Sequence, residues 1–286
     1  MTAAVNHLAE QGSGVVKQFA GLSLDRPRIM GVINVTPDSF SDGGETFTTE
    51  AAVDRGFRLL DEGADIIDVG GESTRPGAAP VDPIEEAKRV IPVVRRLAAC
   101  GAIVSVDTRH ANVMKAALDA GTRVVNDVSA LSGDSNAISV IAASDVSVIL
   151  MHMQGDPRTM QRQPFYREVA QDVFHWLRER ATACENHGIA KDRISIDPGI
   201  GFGKTVEHNV SILSQLGLYR DLAYPVTIGV SRKSFIARLS GDVPPRERLA
   251  GSLAAVLSAV SNGASILRVH DVWQTRQALA VWEAVN

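Results

Sequence analysis

The feature that most constrains this chain is a regular alternation between short apolar runs and longer amphipathic stretches. Each run is nearly continuous in apolar, often β-branched residues, which is typical of parallel strands covered on both faces. The stretches at 51–62 and 83–98 place apolar residues at helical spacing, and 247–261 is rich in Ala and Leu. The predicted strands are 29–34, 65–69, 102–106, 123–126, 146–151, 193–196, 226–230 and 266–269.

Eight strand–helix units, evenly spaced along 286 residues, indicate a TIM (β/α)8 barrel. We expect one α/β domain over residues 25–286, because no linker or break in composition divides it. Residues 1–24 are predicted to form a short N-terminal arm with a β-hairpin that closes the bottom of the barrel. An open, doubly wound parallel sheet is the alternative fold.

The charge balance and the cysteines argue against several classes of protein. The chain has 29 basic and 33 acidic residues and a net charge of −4, whereas a nucleic-acid-binding protein needs a basic surface. Cys100 and Cys184 lie too far apart for a zinc motif or a disulfide framework, and they suit a reducing cytoplasm. No signal-peptide pattern or apolar run near the ~20 residues of a membrane span is visible. We therefore expect a cytoplasmic protein with no nucleic-acid or membrane partner.

Polar residues gather at the C-terminal ends of the predicted strands. A single residue of this kind is most often a turn former or a helix cap. In a barrel, however, all these ends meet at one mouth, where active sites are built, so we interpret the whole set as a site. The set contains carboxylates, carboxamides and cations: Asn34, Arg75, Asp107, Asn126, Asp197, Lys233, Arg268 and His270.

The chemistry of this rim favours a particular kind of ligand. Carboxylates such as Asp107 and Asp197 can grip a flat heterocycle with a guanidine-like edge through paired hydrogen bonds. The cations suit a phosphate or diphosphate, and a carboxamide oxygen beside that anion suits Mg²⁺. The rim holds no Ser-His-Asp or Cys-His set and no His-rich metal set, which disfavours acyl transfer and zinc hydrolysis.

Two loops at the rim are predicted to act as flexible lids. Residues 36–44 follow the first strand and residues 70–77 follow the second, and both are rich in Gly, Ser and acidic residues. Long ordered turns are the alternative interpretation. Met151 and His152 are interpreted as pocket wall rather than as catalysts. We interpret Arg232 as an ion-pair partner, and Trp273 and Trp282 as packing residues.

Five ordered motifs resemble the signatures of the dihydropteroate synthase family. Together they extend the resemblance over roughly residues 28–283, nearly the whole chain. The motifs are Asn34-Val35-Thr36-Pro37-Asp38-Ser39-Phe40-Ser41-Asp42-Gly43-Gly44, Asp68-Val69-Gly70-Gly71-Glu72-Ser73-Thr74-Arg75-Pro76-Gly77, Asp197-Pro198-Gly199-Ile200-Gly201-Phe202-Gly203-Lys204, Ser231-Arg232-Lys233-Ser234 and Arg268-Val269-His270-Asp271.

The resemblance implies a TIM-barrel transferase of folate biosynthesis, usually a homodimer. Such enzymes join 6-hydroxymethyl-7,8-dihydropterin diphosphate to 4-aminobenzoate and release diphosphate and 7,8-dihydropteroate. The residues and the resemblance agree on a substitution in which diphosphate leaves first. Sulfonamides, which mimic aminobenzoate, are expected as competitors, although an insensitive, resistant variant would look nearly the same in sequence.

Roles carry over from the family position by position. Asn34 matches the Mg²⁺ contact, and Asp107, Asp197, Lys233 and Arg268 match the catalytic set. The pterin positions are Asp107, Asn126, Met151, Asp197 and Lys233. The diphosphate positions are Asn34, Arg268 and His270. The aminobenzoate positions are Phe40, Thr74, Arg75, Pro76, Phe202, Lys233 and Ser234.

Three other functions stay open on the sequence alone. A pterin-dependent methyltransferase would share the barrel and the pterin grip, but it needs a cobalamin module for which 286 residues leave no room. A non-catalytic pterin-binding paralogue would not need the diphosphate cations. An unrelated metal aldolase barrel would have no affinity for pterins.

Overall fold

A computed structural model describes residues 18–35, 49–73, 78, 80–156 and 158–286. Within this part of the chain, eight parallel strands form one sheet and two short strands form a separate antiparallel hairpin. The hairpin strands are β1 (Gln18–Phe19) and β2 (Leu22–Ser23). The sheet strands are β3 (Arg28–Asn34), β4 (Ile66–Gly70), β5 (Val104–Asp107), β6 (Val124–Asp127), β7 (Ser147–Met151), β8 (Ile194–Asp197), β9 (Thr227–Ile228) and β10 (Ile266–Val269).

The sheet curls into a barrel. Hydrogen-bonded neighbours follow the order β8-β7-β6-β5-β4-β3-β10-β9. A single parallel bridge between Ile196 and Val226 joins the two ends of this order, supported by a bond of 2.9 Å from Ile196 N to Pro225 O. The predicted barrel is therefore confirmed, and the open doubly wound sheet is excluded.

Helices follow the strands and cover the outside of the barrel. No helix in the described ranges is both long and apolar enough to cross a membrane. Asp82 accepts a bond from Ile84 N and precedes Pro83 at the start of the second helix, a strong initiation signal. The helices are α1 (Thr49–Asp61), α2 (Pro83–Ala99), α3 (Ala111–Asp119), α4 (Ala137–Ala142), α5 (Val169–Asn186), α6 (Val206–Ser214), α7 (Ser234–Ser240), α8 (Leu249–Ser261) and α9 (Val272–Val285).

Several strands extend one residue further than their apolar runs. Asp107, Asp127 and Asp197 each end a strand instead of following it, because the backbone ladder continues past the last apolar side chain. The register pairs Gly70 with Asp107 and Met151 with Asp197. The polar residues are therefore held by the sheet itself, which fixes their position more firmly than a loop would.

Two separate cores stabilise the barrel. The larger one lies between the sheet and the helices. The smaller one lies inside the barrel at its N-terminal end and has Phe19 of the hairpin among its fully buried members. Ala20 N binds Ser147 Oγ at 3.2 Å, so the hairpin is also bonded to β7. The other buried residues of this floor are Ala20, Met30, Ile66, Val124, Ile149 and Ile266.

The hairpin thus closes the bottom of the barrel. Arg123 on the sheet side binds Ala20 O at 3.0 Å and adds a second attachment. Residues 1–17 lie outside the described part of the chain, so the division between an arm over 1–24 and a barrel domain over 25–286 stays a prediction. With the bottom filled by apolar side chains, ligands can enter the barrel only from the other end.

Candidate active site

The inward face of the barrel changes from apolar to polar toward its C-terminal end. Because strand residues alternate between faces, the position two residues after each floor residue also points inward. Beyond Ile66, Val124 and Ile266 these positions are Asp68, Asn126 and Arg268. The same alternation brings Asp107 and Asp197, at the ends of β5 and β8, to the mouth.

Arg268 binds two carboxylates at once. Its Nε lies 2.7 Å from Asp68 Oδ2, and one terminal nitrogen lies 2.8 Å from Asp107 Oδ2. Asn126 Nδ2 also reaches Asp68 Oδ2, at 3.4 Å. Four strands, β4, β5, β6 and β10, therefore contribute to one bonded cluster on one side of the mouth.

Asp68 is the residue of this cluster that the sequence interpretation left without a role. It is fully buried, and its Oδ1 has no hydrogen-bond partner among the described residues. The sequence feature that could have identified Asp68 is its position as a single carboxylate inside the otherwise apolar strand Ile66–Gly70. A buried carboxylate needs a cation nearby, and Arg268 meets that need.

The charges of this cluster depend on one another. Burial raises the pKa of Asp107 to about 7, while the positive charge of Arg268 opposes that rise. Burial alone would lower the pKa of Arg268, but the charges of Asp68 and Asp107 outweigh it and raise that pKa. Arg268 is therefore fully charged at any pH that the folded protein tolerates.

Asp197 lies on the opposite side of the mouth and is held mainly by backbone. Gly199 N donates to Asp197 Oδ1 at 2.7 Å. Burial raises the pKa of Asp197, and the bond from Gly199 and the charges of Lys233, Lys204 and Arg268 act against that rise. Its register partner Met151 supplies an apolar neighbour at the end of β7.

Lys233 lies against an aromatic ring beside this carboxylate. Its Nζ is 4.0 Å from the centre of the Phe202 ring and donates to Ile200 O at 2.8 Å. Burial lowers the pKa of Lys233 to about 8, and the negative charge of Asp197 opposes that change. The cation of Lys233, the carboxylate of Asp197 and the aromatic face of Phe202 therefore lie side by side at the mouth.

The segment that carries Phe202 needs glycine at alternate positions. Gly199, Gly201 and Gly203 have φ values of +68°, +83° and +60°, which favour glycine. A Cβ on Gly199 would lie 1.9 Å from His152 O, and one on Gly203 would lie 2.5 Å from Gln154 O. The segment therefore packs directly on the backbone that follows β7.

His270 and Asn34 lie near the Arg268 side of the mouth. His270 N donates to Ser231 Oγ at 3.2 Å, and His270 Nδ1 lies 3.1 Å from the same oxygen. Asn34 ends β3, and its Oδ1 and Asp107 Oδ2 lie 3.8 and 3.7 Å from the point that a Cβ on Gly70 would occupy. Side chains that can bind an anion therefore lie next to oxygen atoms that can bind a cation.

Comparison with known proteins decides the family. Residues 30–270 match the family of pterin binding enzymes. The dihydropteroate synthase of Neisseria meningitidis serogroup C is 47% identical over 269 residues, which cover 93% of this chain and 95% of that protein. This chain belongs to the dihydropteroate synthase family.

Solved dihydropteroate synthases share the fold as well. The Xanthomonas albilineans enzyme with 4-aminobenzoic acid gives a TM-score of 0.88 at 51% identity, covering 92% of this chain and 94% of that one. Its complex with 7,8-dihydropteroate gives 0.84 at 48% identity, covering 92% and 95%. The Yersinia pestis enzyme with a sulfonamide drug gives 0.88 at 43% identity, covering 92% and 96%.

Most of the residues matched to dihydropteroate synthases by sequence lie around one mouth. Asp107, Asn126 and Arg268 share the bonded cluster, and Phe202 and Lys233 are in contact opposite. Ser234 is exposed at the start of α7. Phe40, Thr74, Arg75 and Pro76, together with the whole first predicted lid and half of the second, lie outside the described residues.

Two interpretations of side chains near the dihydropteroate synthase motifs are wrong. His152 does not form a wall of the mouth: its ring packs edge-on against Trp176 of α5 at 4.9 Å. Trp273 is 55% exposed on α9, whereas Trp282 packs against the core as expected. The ion-pair interpretation of Arg232 is confirmed, because Arg232 binds Asp271 through two nitrogens.

Proposed function

We propose that this protein condenses 6-hydroxymethyl-7,8-dihydropterin diphosphate with 4-aminobenzoate to give 7,8-dihydropteroate and diphosphate. One observation carries the proposal: buried carboxylates and partly buried cations meet at a single barrel mouth, with Arg268 on one side and Lys233 on the other. Relatives that bind 4-aminobenzoic acid and 7,8-dihydropteroate support both ends of the reaction.

The pterin would lie across the centre of the mouth. Asp197 and Asp107 would accept hydrogen bonds from its guanidine-like edge, and Asn126 and Lys233 would bind its other polar atoms. Met151 offers an apolar contact to the flat ring. These carboxylates are buried, so their hydrogen bonds and charges act in a medium that screens them little.

The diphosphate would lie toward Arg268, His270 and Asn34. Arg268 keeps its charge because two carboxylates face it, and a guanidinium matches phosphate geometry. Binding of diphosphate would compete with Asp107 for the same guanidinium. Asp107 would then be released to face the pterin as the anion arrives.

Mg²⁺ fits the same end of the site. Asn34 Oδ1 and Asp107 Oδ2 border one space, and amide and carboxylate oxygens suit this hard cation. Among the described residues no group of three or more His, Cys, Asp or Glu could hold a metal, and Mg²⁺ binds few protein groups because it keeps waters and phosphate oxygens. Asn34 would hold it, and when bound it would neutralise charge on the diphosphate.

The aminobenzoate would lie against Phe202, with Lys233 and Ser234 near its carboxylate. Lys233 can serve both substrates because it lies between Asp197 and the Phe202 ring. Thr74, Arg75, Pro76 and Phe40 would complete this site from the loops. Sulfonamides would compete here, as the sulfonamide complex of the Yersinia pestis relative suggests.

The chemistry would proceed by departure of diphosphate before attack. Arg268 and His270 stabilise the leaving anion, and the carboxylates of Asp107 and Asp197 stabilise the cationic pterin methylene that remains. The arylamine nitrogen then attacks that carbon and loses its proton. Because this amine is weakly basic, its positioning matters more than its deprotonation.

We also propose a homodimer in the cytoplasm. Trp273, Val281 and Val285 are exposed on α9 and form an apolar surface that a second copy could cover. The two cysteines are free, which suits a reducing compartment. Sedimentation of the purified protein would test the dimer, with a monomer at micromolar concentration as the contrary result.

Diphosphate release measured with and without 4-aminobenzoate tests the function. We expect release and dihydropteroate formation only when both substrates and Mg²⁺ are present, and loss of both after EDTA treatment. Pterin binding without turnover would instead indicate a binding paralogue, and methyl transfer would indicate the methyltransferase. No affinity for pterins would contradict the proposal and favour an unrelated barrel.

A further inference from the structure

Lys204 is a buried lysine that the proposed reaction does not use. It follows Gly203 and is only 3% exposed. Its Nζ lies 2.9 Å from His152 Nδ1, 2.9 Å from Phe202 O and 3.4 Å from His152 O. A lysine almost never becomes fully buried unless its charge or its hydrogen bonds are needed.

The surroundings of Lys204 match a protonated amine. An ammonium group has three N–H donors, and three acceptors surround it. His152 Nδ1 must accept, so the ring proton lies on Nε2. Burial and the nearby Lys204 charge lower the pKa of His152 far below its ordinary value, which keeps the ring neutral.

The same loop is joined to the segment after β7 at two more points. Gln161 Nε2 donates to Gly201 O at 2.8 Å, and Tyr166 Oη donates to Gly203 O at 2.8 Å. Together with Lys204 and the close approach of the glycines, these bonds hold residues 198–204 against the backbone that follows β7. The carbonyls of Gly201 and Gly203 are therefore fixed by side chains from the segment after β7.

The held loop in turn fixes groups inside the mouth. Ile200 O accepts from Lys233 Nζ, and the Phe202 ring lies under the same nitrogen. Phe202 also supplies one of the carbonyls that Lys204 binds. A shift of the Lys204 end of the loop would therefore move the aromatic face and the lysine together.

We infer that Lys204 is a positioning residue for the aminobenzoate site, acting with His152 to hold the loop that presents Phe202 and Lys233. The inference rests on the proposed function, because it names what the loop is positioned for. It separates the two substrates: Asp107, Asn126 and Arg268 lie on other strands, so the pterin and diphosphate contacts there do not depend on this loop.

Steady-state kinetics of Lys204→Met provide the main test. We expect the KM for aminobenzoate to rise on the order of tenfold, since small misplacements of binding groups are costly. The kcat at saturation should stay within about twofold. The KM for the pterin diphosphate should rise by no more than about threefold, because Lys233 contacts both substrates but the pterin contacts on the other strands remain. Lys115→Met removes an exposed lysine from α3 and serves as the control, with unchanged kinetics.

Three further variants keep the test decisive if Lys204→Met folds poorly. Tyr166→Phe removes only the bond to Gly203 O and should raise the KM for aminobenzoate about threefold. His152→Leu removes the side-chain acceptor for Lys204, whereas His152→Asn keeps such an acceptor and should restore most of the affinity. Thermal unfolding of each variant checks that it is folded.

The outcomes distinguish this inference from the proposed function. Absence of dihydropteroate formation by the unmodified protein would overturn the proposed function and the inference with it. Normal turnover by the unmodified protein, with the same KM for aminobenzoate in all folded variants, would overturn the inference alone. An equal rise in both KM values would also overturn it, because that result indicates general loosening of the mouth.

Discussion

The two sides of the barrel mouth hold their positive charges in opposite ways. On the side of β4, β5 and β10, Arg268 binds the carboxylates of Asp68 and Asp107 directly. On the side of β8 and β9, Lys233 and Lys204 donate to backbone carbonyls, with carboxylate charge near them but not bonded. We call these the paired side and the loop side.

Carboxylate side chains hold the positive charge on the paired side, whereas backbone carbonyls hold the positive charges on the loop side. On the paired side, two carboxylates hold one guanidinium charged, whatever the adjoining loops do. On the loop side, burial lowers the pKa of Lys233 to about 8 and that of Lys204 to about 7. The charges of the loop side therefore depend on the path of the backbone and on pH. On the paired side the charge of Arg268 depends on neither, while Asp107, with a pKa of about 7, changes its charge near neutral pH.

The largest expected effect comes from Arg268→Met, which breaks the paired side. It leaves Asp68 and Asp107 buried without their cation and removes the main diphosphate contact. We expect kcat/KM to fall about a thousandfold or more, and the free energy of unfolding to fall by roughly 3–5 kcal/mol. Urea denaturation and initial rates measure the two effects.

Arg232→Met is the matched control for this change. Arg232 also binds a carboxylate, but its side chain is 30% exposed and its partner Asp271 lies at the rim. We expect it to cost about 1 kcal/mol, the upper end for an ion pair that keeps contact with solvent, because no fully buried carboxylate loses its cation. Equal losses of stability in the two variants would mean that the paired side is not special.

A smaller effect is expected from Lys233→Ala on the loop side. Lys233 would contact both substrates, so kcat/KM for each should fall about a hundredfold, in line with the loss of one charged contact. Stability should change little, because no buried carboxylate loses a bonded partner. Wild-type kcat/KM for either substrate would refute the dual role of Lys233.

Gly201→Ala tests the loop side more gently. Gly201 has φ of +83°, and a Cβ there would lie 3.2 Å from Lys233 Cδ. The KM for aminobenzoate should rise about fivefold, a modest shift of one binding group. Gly101→Ala is the control, since Gly101 has φ of +84° and its added Cβ would meet nothing within 4 Å. Both variants carry the same backbone strain, so only their difference reports the lysine contact.

The smallest expected effect is a decrease in activity at alkaline pH, caused by loss of positive charge on the loop side. The folded-state pKa of Lys233 is lowered to about 8, so its charge is present below that pH and is lost as the pH rises through it. We expect kcat/KM for aminobenzoate to fall about threefold between pH 7.5 and 8.5. If deprotonation of Lys233 causes this decrease, it should persist in Lys204→Met. A flat profile up to pH 10 would contradict the assignment.

The paired side could be predicted largely from the sequence. Asp107, Asn126 and Arg268 end or interrupt apolar strands, and parallel strands bring their C-terminal ends to one mouth. The same pattern located all eight strands, although four extend one residue further than predicted and the strand predicted over 226–230 spans only Thr227–Ile228. The role of Asp68 could not be predicted, because the apolar residues around it in the strand do not reveal that its side chain points into the barrel.

The loop side could be predicted only in part. The residues of 197–204 identified a motif, but its glycines do not specify which backbone they pack against. The contacts of Lys204 with His152 and of Tyr166 with Gly203 join segments separated by tens of residues, and no spacing indicates them. The exposure of Trp273 was missed for a related reason, because aromatic composition does not say which face of a helix is covered.

The two thiols differ in a way that makes the unmodified chain easy to label. Cys100 is exposed at the end of α2, whereas Cys184 is buried on α5, where burial raises its pKa to about 11. Since α2 returns from the mouth toward the floor of the barrel, a maleimide dye on Cys100 would lie far from the substrates. Such a single fluorophore would report on tumbling and self-association without touching catalysis.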